Sequence, residues 1–360
     1  MAYTDIDDAS EHFQTAVWTG TNATGKQITN GGNSDLKPDL IWAKARTSTS
    51  YTDNHFMVDS SRGRTKGLIT NTTDTETTTT GNQSQQAERD LESFDTDGFT
   101  VGIVNSTAAL NAQDASNIAW QWKANGGTTA SNSDGNIPST VQANTEAGFS
   151  IVTWTGNENS SASVGHGLGV TPDLVMFKNR SSAYNWVVYL GALGQVSGNN
   201  MFAYLNLTNA AEQGAGITFT SSLLNPGSGA STNASSMIAY CFNNVQGYSK
   251  FGKYVGNGST DGAFVYTGFK PAWVMIKRSD GVTNWRLFDN KRSGFNADTS
   301  QLYPNLNNAE DSAGDQLELL SNGFKNRTVS GDQNGSGSNY IYMAFAENPF
   351  VAGGIPTTAR

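Results

Sequence analysis

One block is written three times along this chain, and a repeat of that kind constrains the fold more than any single residue does. Lys37-Pro38-Asp39-Leu40-Ile41-Trp42-Ala43-Lys44 is answered by Thr171-Pro172-Asp173-Leu174-Val175-Met176-Phe177-Lys178 and by Lys270-Pro271-Ala272-Trp273-Val274-Met275-Ile276-Lys277. A glycine-ended aromatic entry precedes each block: Trp18-Thr19-Gly20, Trp154-Thr155-Gly156 and Tyr254-Val255-Gly256. An apolar run closes each copy: Ile118-Ala119-Trp120-Gln121-Trp122, Ile238-Ala239-Tyr240-Cys241-Phe242 and Ile341-Tyr342-Met343-Ala344-Phe345. Copies recurring at domain-sized intervals predict three related modules in tandem. Features shared by the copies then serve structure. Function belongs to what differs between them, or to what the three present together.

The closing runs alternate with a period of two, as a strand requires. Ile118, Trp120 and Trp122 share one face, and Ala119 and Gln121 the other. One bulky face and one small face predict a central strand of a sandwich, with the aromatics in the core. The runs after each proline are continuously apolar, which predicts burial on both faces. Proline fits at the entry of such a strand because its missing N–H breaks no ladder bond. Lys44, Lys178 and Lys277 recur at one offset after the prolines and are expected to reach solvent from the strand end. A third matched strand comprises His55–Asp59, Trp186–Tyr189 and Trp285–Asp289. Copies 1 and 3 carry Asp59 with Arg62 and Asp289 with Arg292, whereas copy 2 has Leu190 and Leu193. That exchange reads as a structural contact swapped for an apolar one, not as a shared active site.

Helical periodicity is brief, near Ala87–Leu91 and Asn308–Leu320, while short strands broken by Gly, Asn, Asp and Ser recur throughout. Asp97-Gly98-Phe99 and Asn322-Gly323-Phe324 read as hairpin turns feeding a strand. The expected fold is all-β: three related antiparallel β-sandwich-like modules in tandem, of jelly-roll or lectin-like type. The boundaries are an N-terminal arm at 1–12, module 1 at 13–125, a linker at 126–147, module 2 at 148–246, module 3 at 247–350 and a C-terminal tail at 351–360. Asn71–Thr80 is low-complexity and expected at the surface.

Charged residues make up only 15% of the 360, and the net charge is −9. No lysine and arginine stripe tracks a phosphate backbone, so nucleic-acid binding is not expected. No apolar run approaches the length of a membrane span, and membrane insertion is not expected. Neither a basic leader nor an apolar signal core stands at the start, which predicts synthesis in the cytoplasm. The single cysteine, Cys241, lies in an apolar run and reads as a core residue. The Asn-x-Ser/Thr triplets at Asn22, Asn71, Asn105, Asn206 and Asn257 are expected by chance in so polar a chain.

Chemistry is sparse. His12, His55 and His166 stand at unrelated places, and no His-Glu-x-x-His, cysteine pair or EF-hand spacing supports a metal site. Gly165-His166-Gly167-Leu168-Gly169 precedes a strand rather than a helix, so it reads as a turn and not a phosphate cradle. Carboxylates are plentiful, among them Asp95, Asp97, Asp261, Asp280, Asp289, Glu310, Asp311, Asp315 and Glu318, without a spacing that marks a hydrolase pair. No catalytic residue, metal ligand or cofactor is expected, and a ligand site is not assigned. Trp154, Tyr184, Trp186 and Trp285 are candidates for stacking on sugar rings, set against core packing.

The runs Gly148–Gly156, Val164–Val170, Ala239–Phe242, Gly247–Gly252, Phe264–Pro271 and Ala344–Phe350 resemble a family encoded in bacteriophage structural-gene clusters, especially of phages of marine bacteria and cyanobacteria. The resemblance covers nearly the whole chain. It implies residence on a virion, in contact with other virion proteins of capsid or tail, and release from the host by lysis. It carries no catalytic residues, and the leader Met1–Phe13 is similar to leaders of that family, which implies a docking arm. The expected function is therefore a non-enzymatic virion structural protein, a capsid decoration or a tail fibre or adaptor component. Particle symmetry makes a homo-oligomer, a trimer, the expected state. The alternative is a lectin-like module that binds host surface glycan.

Overall fold

Each copy builds one motif around its closing run. In the computed structural model, residues 5–49, 53–78, 90–104, 110–196, 199–214, 216–292, 296, 300–312, 314, 316–349, 351–352 and 355–356 are described. In module 1 the closing strand Ser116–Trp122 lies between the entry strand Phe13–Thr19 and the post-proline strand Leu40–Ala45, with Phe56–Asp59 next outward. Module 2 repeats this with Ala234–Phe242 between Phe149–Asn157 and Leu174–Asn179, then Val187–Leu190. Module 3 repeats it with Asn339–Pro349 between Ser249–Val255 and Phe269–Arg278, then Arg286–Asp289. All these pairings are antiparallel.

A small three-stranded sheet packs on one face of each main sheet. Its members are Lys26–Ile28, Phe99–Val101 and Leu91–Phe94 in module 1. In module 2 they are Val164–Gly165, Leu223–Asn225 and Thr218–Phe219, and in module 3 Phe264–Tyr266, Gly323–Asn326 and Leu317–Leu320. The result is three two-layer all-β sandwiches, as the repeats predict.

The bulky face of the closing strand goes to an unexpected place. Ile118, Trp120 and Trp122 pack with Ile238, Tyr240, Phe242, Met343 and Phe345 in one core shared by all three modules. The small face, Ala119 in module 1 and Ala239 with Cys241 in module 2, lines the module's own sandwich interior. The largest side chains therefore lie between modules, where burying each one contributes about 2–3 kcal/mol. Trp122, Phe242 and Phe345, at equivalent positions, form a triangle with centroid separations of 6.3, 5.6 and 5.5 Å, each pair edge-on. This triangle marks a pseudo-threefold axis inside a single chain.

The entry glycines have a steric cause. A Cβ at Gly20, Gly156 or Gly256 would collide with backbone of Ala112, Asn233 or Gly335 respectively. Beside each glycine a buried asparagine clamps the loop. Asn111, Asn233 and Asn334 accept from the N–H of Thr21, Asn157 and Asn257, and their amides donate to two backbone carbonyls each.

Several expectations change. The stretch read as a linker, 126–147, contains the strands Ala130–Asn132 and Ser139–Asn144, which add to the entry strand of module 2 and widen its sheet. The described residues of 308–320 form no helix; the stretch ends in the strand Leu317–Leu320, whose alternating apolar residues fill the module 3 core. Of the leader, residues 5–12 lie on this chain itself. Ile6 and Ala9 are buried in the shared core, and Asp5 N–H donates to the Gln246 carbonyl at 3.2 Å. Residues 87–89, Asn105, Asp315, Thr79 and Thr80, and most of the tail lie outside the described residues.

Candidate functional site

The lysines expected in solvent are fully buried. Both faces of the post-proline strand are covered, so the side chain has no route to water and meets carbonyls at the next module instead. Lys44 Nζ donates to the Ala45 carbonyl at 2.6 Å and to Asn307 of module 3 at 3.4 Å. Lys178 Nζ donates to Tyr184 at 2.6 Å and to Thr73 of module 1 at 2.9 Å. Lys277 Nζ donates to Arg278 at 2.7 Å and to Thr208 of module 2 at 3.3 Å. Module 1 reaches to 3, 2 to 1 and 3 to 2, so the contacts run head to tail around a closed ring. Burial pulls each ammonium down to about 8; Asp53, Asp74 and Asp332 respectively oppose this through their charge.

The same boundaries carry ion pairs. Arg62 Nε meets Asp59 Oδ2 at 2.6 Å, and Glu76 bridges Arg62 to Arg180 of module 2 at 2.9 and 2.7 Å. The phenol of Tyr240 donates to Asp59 at 2.7 Å. At the boundary of modules 3 and 1, Arg292 meets Asp289 at 2.6 Å, and Glu310 bridges Arg292 to Arg46 at 3.1 and 2.8 Å. There the indole N–H of Trp120 donates to Asp289 at 3.2 Å. The third boundary has apolar or small residues at the matching positions: Leu190, Leu193, Ala211 and Ser279, with Met343 in place of the tyrosine or tryptophan. The register is certain there, because Ala211 N–H bonds the Ser279 carbonyl as Glu76 bonds Arg180 and Glu310 bonds Arg46. The Asp–Arg contact read from sequence is thus structural, and it forms part of a larger network.

Burial raises the pKa of Glu76 and Glu310, but Arg180 and Arg62 on one, and Arg46 and Arg292 on the other, outweigh it and hold both below the usual carboxylate range.

The candidates for chemistry are drawn into structure. His12, His55 and His166 are buried, and burial holds each imidazole below its ordinary pKa. The thiol of Cys241 is buried and pushed up to about 12. Asp261 faces Lys325 and Arg327, Asp280 pairs with Arg278, Glu318 with Arg327, and Asp311 accepts from Gln301 and Tyr303. His166 directly follows the strand Val164–Gly165, bonded to Thr220 and Ser222.

Of the four aromatics considered for sugar stacking, three are core. Trp154 lies in the module 2 sandwich. Trp186 and Trp285 are fully buried and donate across module boundaries, to the carbonyls of Ile69 at 2.8 Å and Tyr204 at 2.9 Å. Tyr184 is 40% exposed.

Two rings not considered there stand out at the surface. Phe264 and Tyr266 are 47% and 52% exposed and flank buried Val265 on the edge strand of the module 3 small sheet. Tyr266 also borders a groove of about 420 Å³ with Asp5, Asn244, Gln246, Lys250 and Thr267.

No curated protein matches the chain, and neither does any solved structure. Residues 8–349 match the family described as a domain of unknown function, DUF7483, and the chain belongs to that family.

Proposed function

We propose that this chain is a non-enzymatic structural protein displayed on the surface of a bacteriophage particle, as a capsid decoration or as part of a tail fibre or adaptor. The observation that carries the reading is the use made of the buried polar side chains. Three lysines, and two Asp–Arg–Glu–Arg networks, hold three modules in a ring instead of lining a cleft. The likeness of its long runs to phage structural proteins supports the same reading. Assembly with other virion proteins, as a homo-oligomer and as a trimer, belongs to the proposal, and light scattering on the purified protein tests the oligomer.

Immunogold labelling of intact particles tests the reading itself. Gold spread over heads supports a decoration, and gold on tails a fibre or adaptor. Particles that carry neither gold nor the protein would sink it.

A second reading, a lectin-like module for host surface glycan, is favoured by the exposed ring pair Phe264 and Tyr266 beside a polar groove.

A further inference from the structure

The three modules act as internal controls for one another, and the outer edge of the entry strand separates them. In module 1, Lys123 N–H bonds the His12 carbonyl and Gly20 N–H bonds the Ala115 carbonyl, at the two ends of the ladder between entry and closing strands. Alternation then turns the N–H and C=O of Phe13, Thr15, Val17 and Thr19 away from that ladder, toward the outer edge. In module 2 the same edge is filled by the strand Ser139–Asn144, which sets Gln142 opposite Ile151. In module 3 the chain caps it: Phe251 N–H donates to Asn244 Oδ1 at 2.7 Å and Ser249 N–H to the Val245 carbonyl at 2.9 Å. In module 1 the entry strand is the last of its sheet, and no described strand pairs with its outer edge.

The missing strand leaves a gap in chemistry as well as in pairing. Gln142 seals the boundary of modules 1 and 2. Its amide donates to Ser60 Oγ at 3.0 Å and Ser61 Oγ at 2.7 Å, and its Oε1 accepts from the N–H of Asn125 and Gly127. At the boundary of modules 2 and 3, the turn Gly191–Leu193 touches the entry strand directly, with Ala192 and Leu193 packed on the shared core. At the boundary of modules 3 and 1 the matching residues are Asn290 and Lys291. There a cavity of about 60 Å³ opens, lined by Thr15, Gly31, Gly32, Asn290 and Lys291 among others. Two polar atoms of this lining, Thr15 Oγ1 and Asn290 Oδ1, are buried without a hydrogen-bond partner, and Thr15 is only 8% exposed. Thr15 holds the position of Ile151, the residue that Gln142 opposes in module 2. Buried polar groups are nearly always bonded, so this place lacks a donor. A Cβ on Gly31 would meet nothing within 4 Å, so the cavity is open on that side.

We propose that the outer edge of Phe13–Thr19 receives an extended segment of a partner protein, which pairs with this strand as Ser139–Asn144 does in module 2 and inserts a glutamine side chain into the cavity. A carboxamide fits what lines the cavity. Its two N–H groups answer Asn290 Oδ1 and Thr15 Oγ1, and its oxygen answers the Lys291 ammonium. A carboxylate would set its charge against Asn290 Oδ1, and an apolar side chain would leave both atoms unpaired. The chain itself supplies the template for the occupant, since Gln142 fills the equivalent place one module away. Main-chain pairing along the edge gives the segment affinity, and the cavity gives it selectivity. The inference stands apart from the particle reading above, because it assigns a docking edge and a segment chemistry wherever the chain resides.

The test is fluorescence anisotropy of a labelled synthetic peptide with the sequence of residues 137–146, which carries Gln142, titrated with the full chain. The proteins are wild type, Thr15→Phe, Asn290→Gly and, as a control, Val282→Ala, an exposed position beside the contact of modules 2 and 3. Thr15→Phe copies Phe251 and fills the cavity; Asn290→Gly copies Gly191 and removes the acceptor. Near-ultraviolet dichroism confirms that each variant is folded. The expected result is saturable binding by wild type, weakened about tenfold by either site variant or by alanine in place of the peptide's glutamine, and unchanged by Val282→Ala. No binding by wild type would overturn the inference. So would binding that survives both site substitutions, since the peptide would then be exchanging with the chain's own strand in module 2. A mass in light scattering that doubles with concentration for wild type and not for Thr15→Phe would give the edge to a second copy of this chain, and would overturn the inference as well. No peptide binding with gold still on particles would remove this docking edge and leave the structural reading standing.

Discussion

A lysine inside a protein has to be answered by oxygen, and Lys44, Lys178 and Lys277 are answered by carbonyls from two modules each. The depressed pKa has a consequence with a definite sign. Each ammonium titrates near 8 when folded and near 10.5 when unfolded. Between those values the unfolded chain holds more protons, so stability rises with pH, by at most about 1.4 kcal/mol per pH unit for each lysine. The buried phenols of Tyr240, Tyr248 and Tyr254, held above their ordinary pKa by burial, stay neutral in the fold while the unfolded chain ionises above about pH 10. Urea midpoints are therefore expected to climb from about pH 8 to about pH 10 and then fall. Lys178→Met is expected to remove about a third of the climb, because the three lysines contribute alike. A flat profile would show that these lysines are hydrated. Sequence revealed that the lysines share a role, since they recur at one offset. It did not reveal the role, because whether a strand end is open depends on what docks against it from far along the chain.

At the scale of elements, the boundary between modules 2 and 3 is a natural experiment on the other two. Removing one member of a buried ion pair leaves a charge without its partner, and Arg62→Leu is expected to cost about 3–5 kcal/mol in chemical denaturation. Copying the third boundary whole into the first, with Asp59→Leu, Arg62→Leu, Glu76→Ala, Arg180→Ser and Tyr240→Met, is expected to cost less than that single change. If the five together cost more, the network contributes net stability rather than only avoiding an orphaned charge. The exchange of Asp59 and Arg62 for Leu190 and Leu193 was legible because both members change together. Glu76 and Glu310 were not, since they come from loops whose spacing differs between copies. The strands themselves were legible from alternation and proline position. The segment at 130–144 was not, because its Ser, Thr and Asn content resembles a loop, and its strand character comes from the open edge of module 2. The exposure of Phe264 and Tyr266 was not legible, because alternation around Val265 does not say which face of the strand stays open.

In the whole molecule, the three boundaries do not respond alike to acid. Glu76 and Glu310 have folded pKa values below the usual range, so the stability they contribute is present above about pH 4.5 and is lost as pH falls through their folded values. Hydrogen exchange in acid is expected to quicken first at the contacts of module 1 with its two neighbours. The contacts of modules 2 and 3, which have Ala211 and Ser279 in the matching places, are expected to hold longer. Uniform loss of protection would argue that the three modules unfold as one unit.

The head-to-tail ring also frees the order of the chain from the order of the fold. Phe13, in the entry strand of module 1, stacks on Phe345, in the closing strand of module 3, at 5.3 Å. The ends of the repeated part therefore lie side by side, much as the end of each module lies beside the start of the next. A circular permutant that joins residue 349 to residue 12 and opens between modules 1 and 2 would keep every boundary described here. In this protein, the place where the ring is cut is a matter of genetic layout more than of architecture.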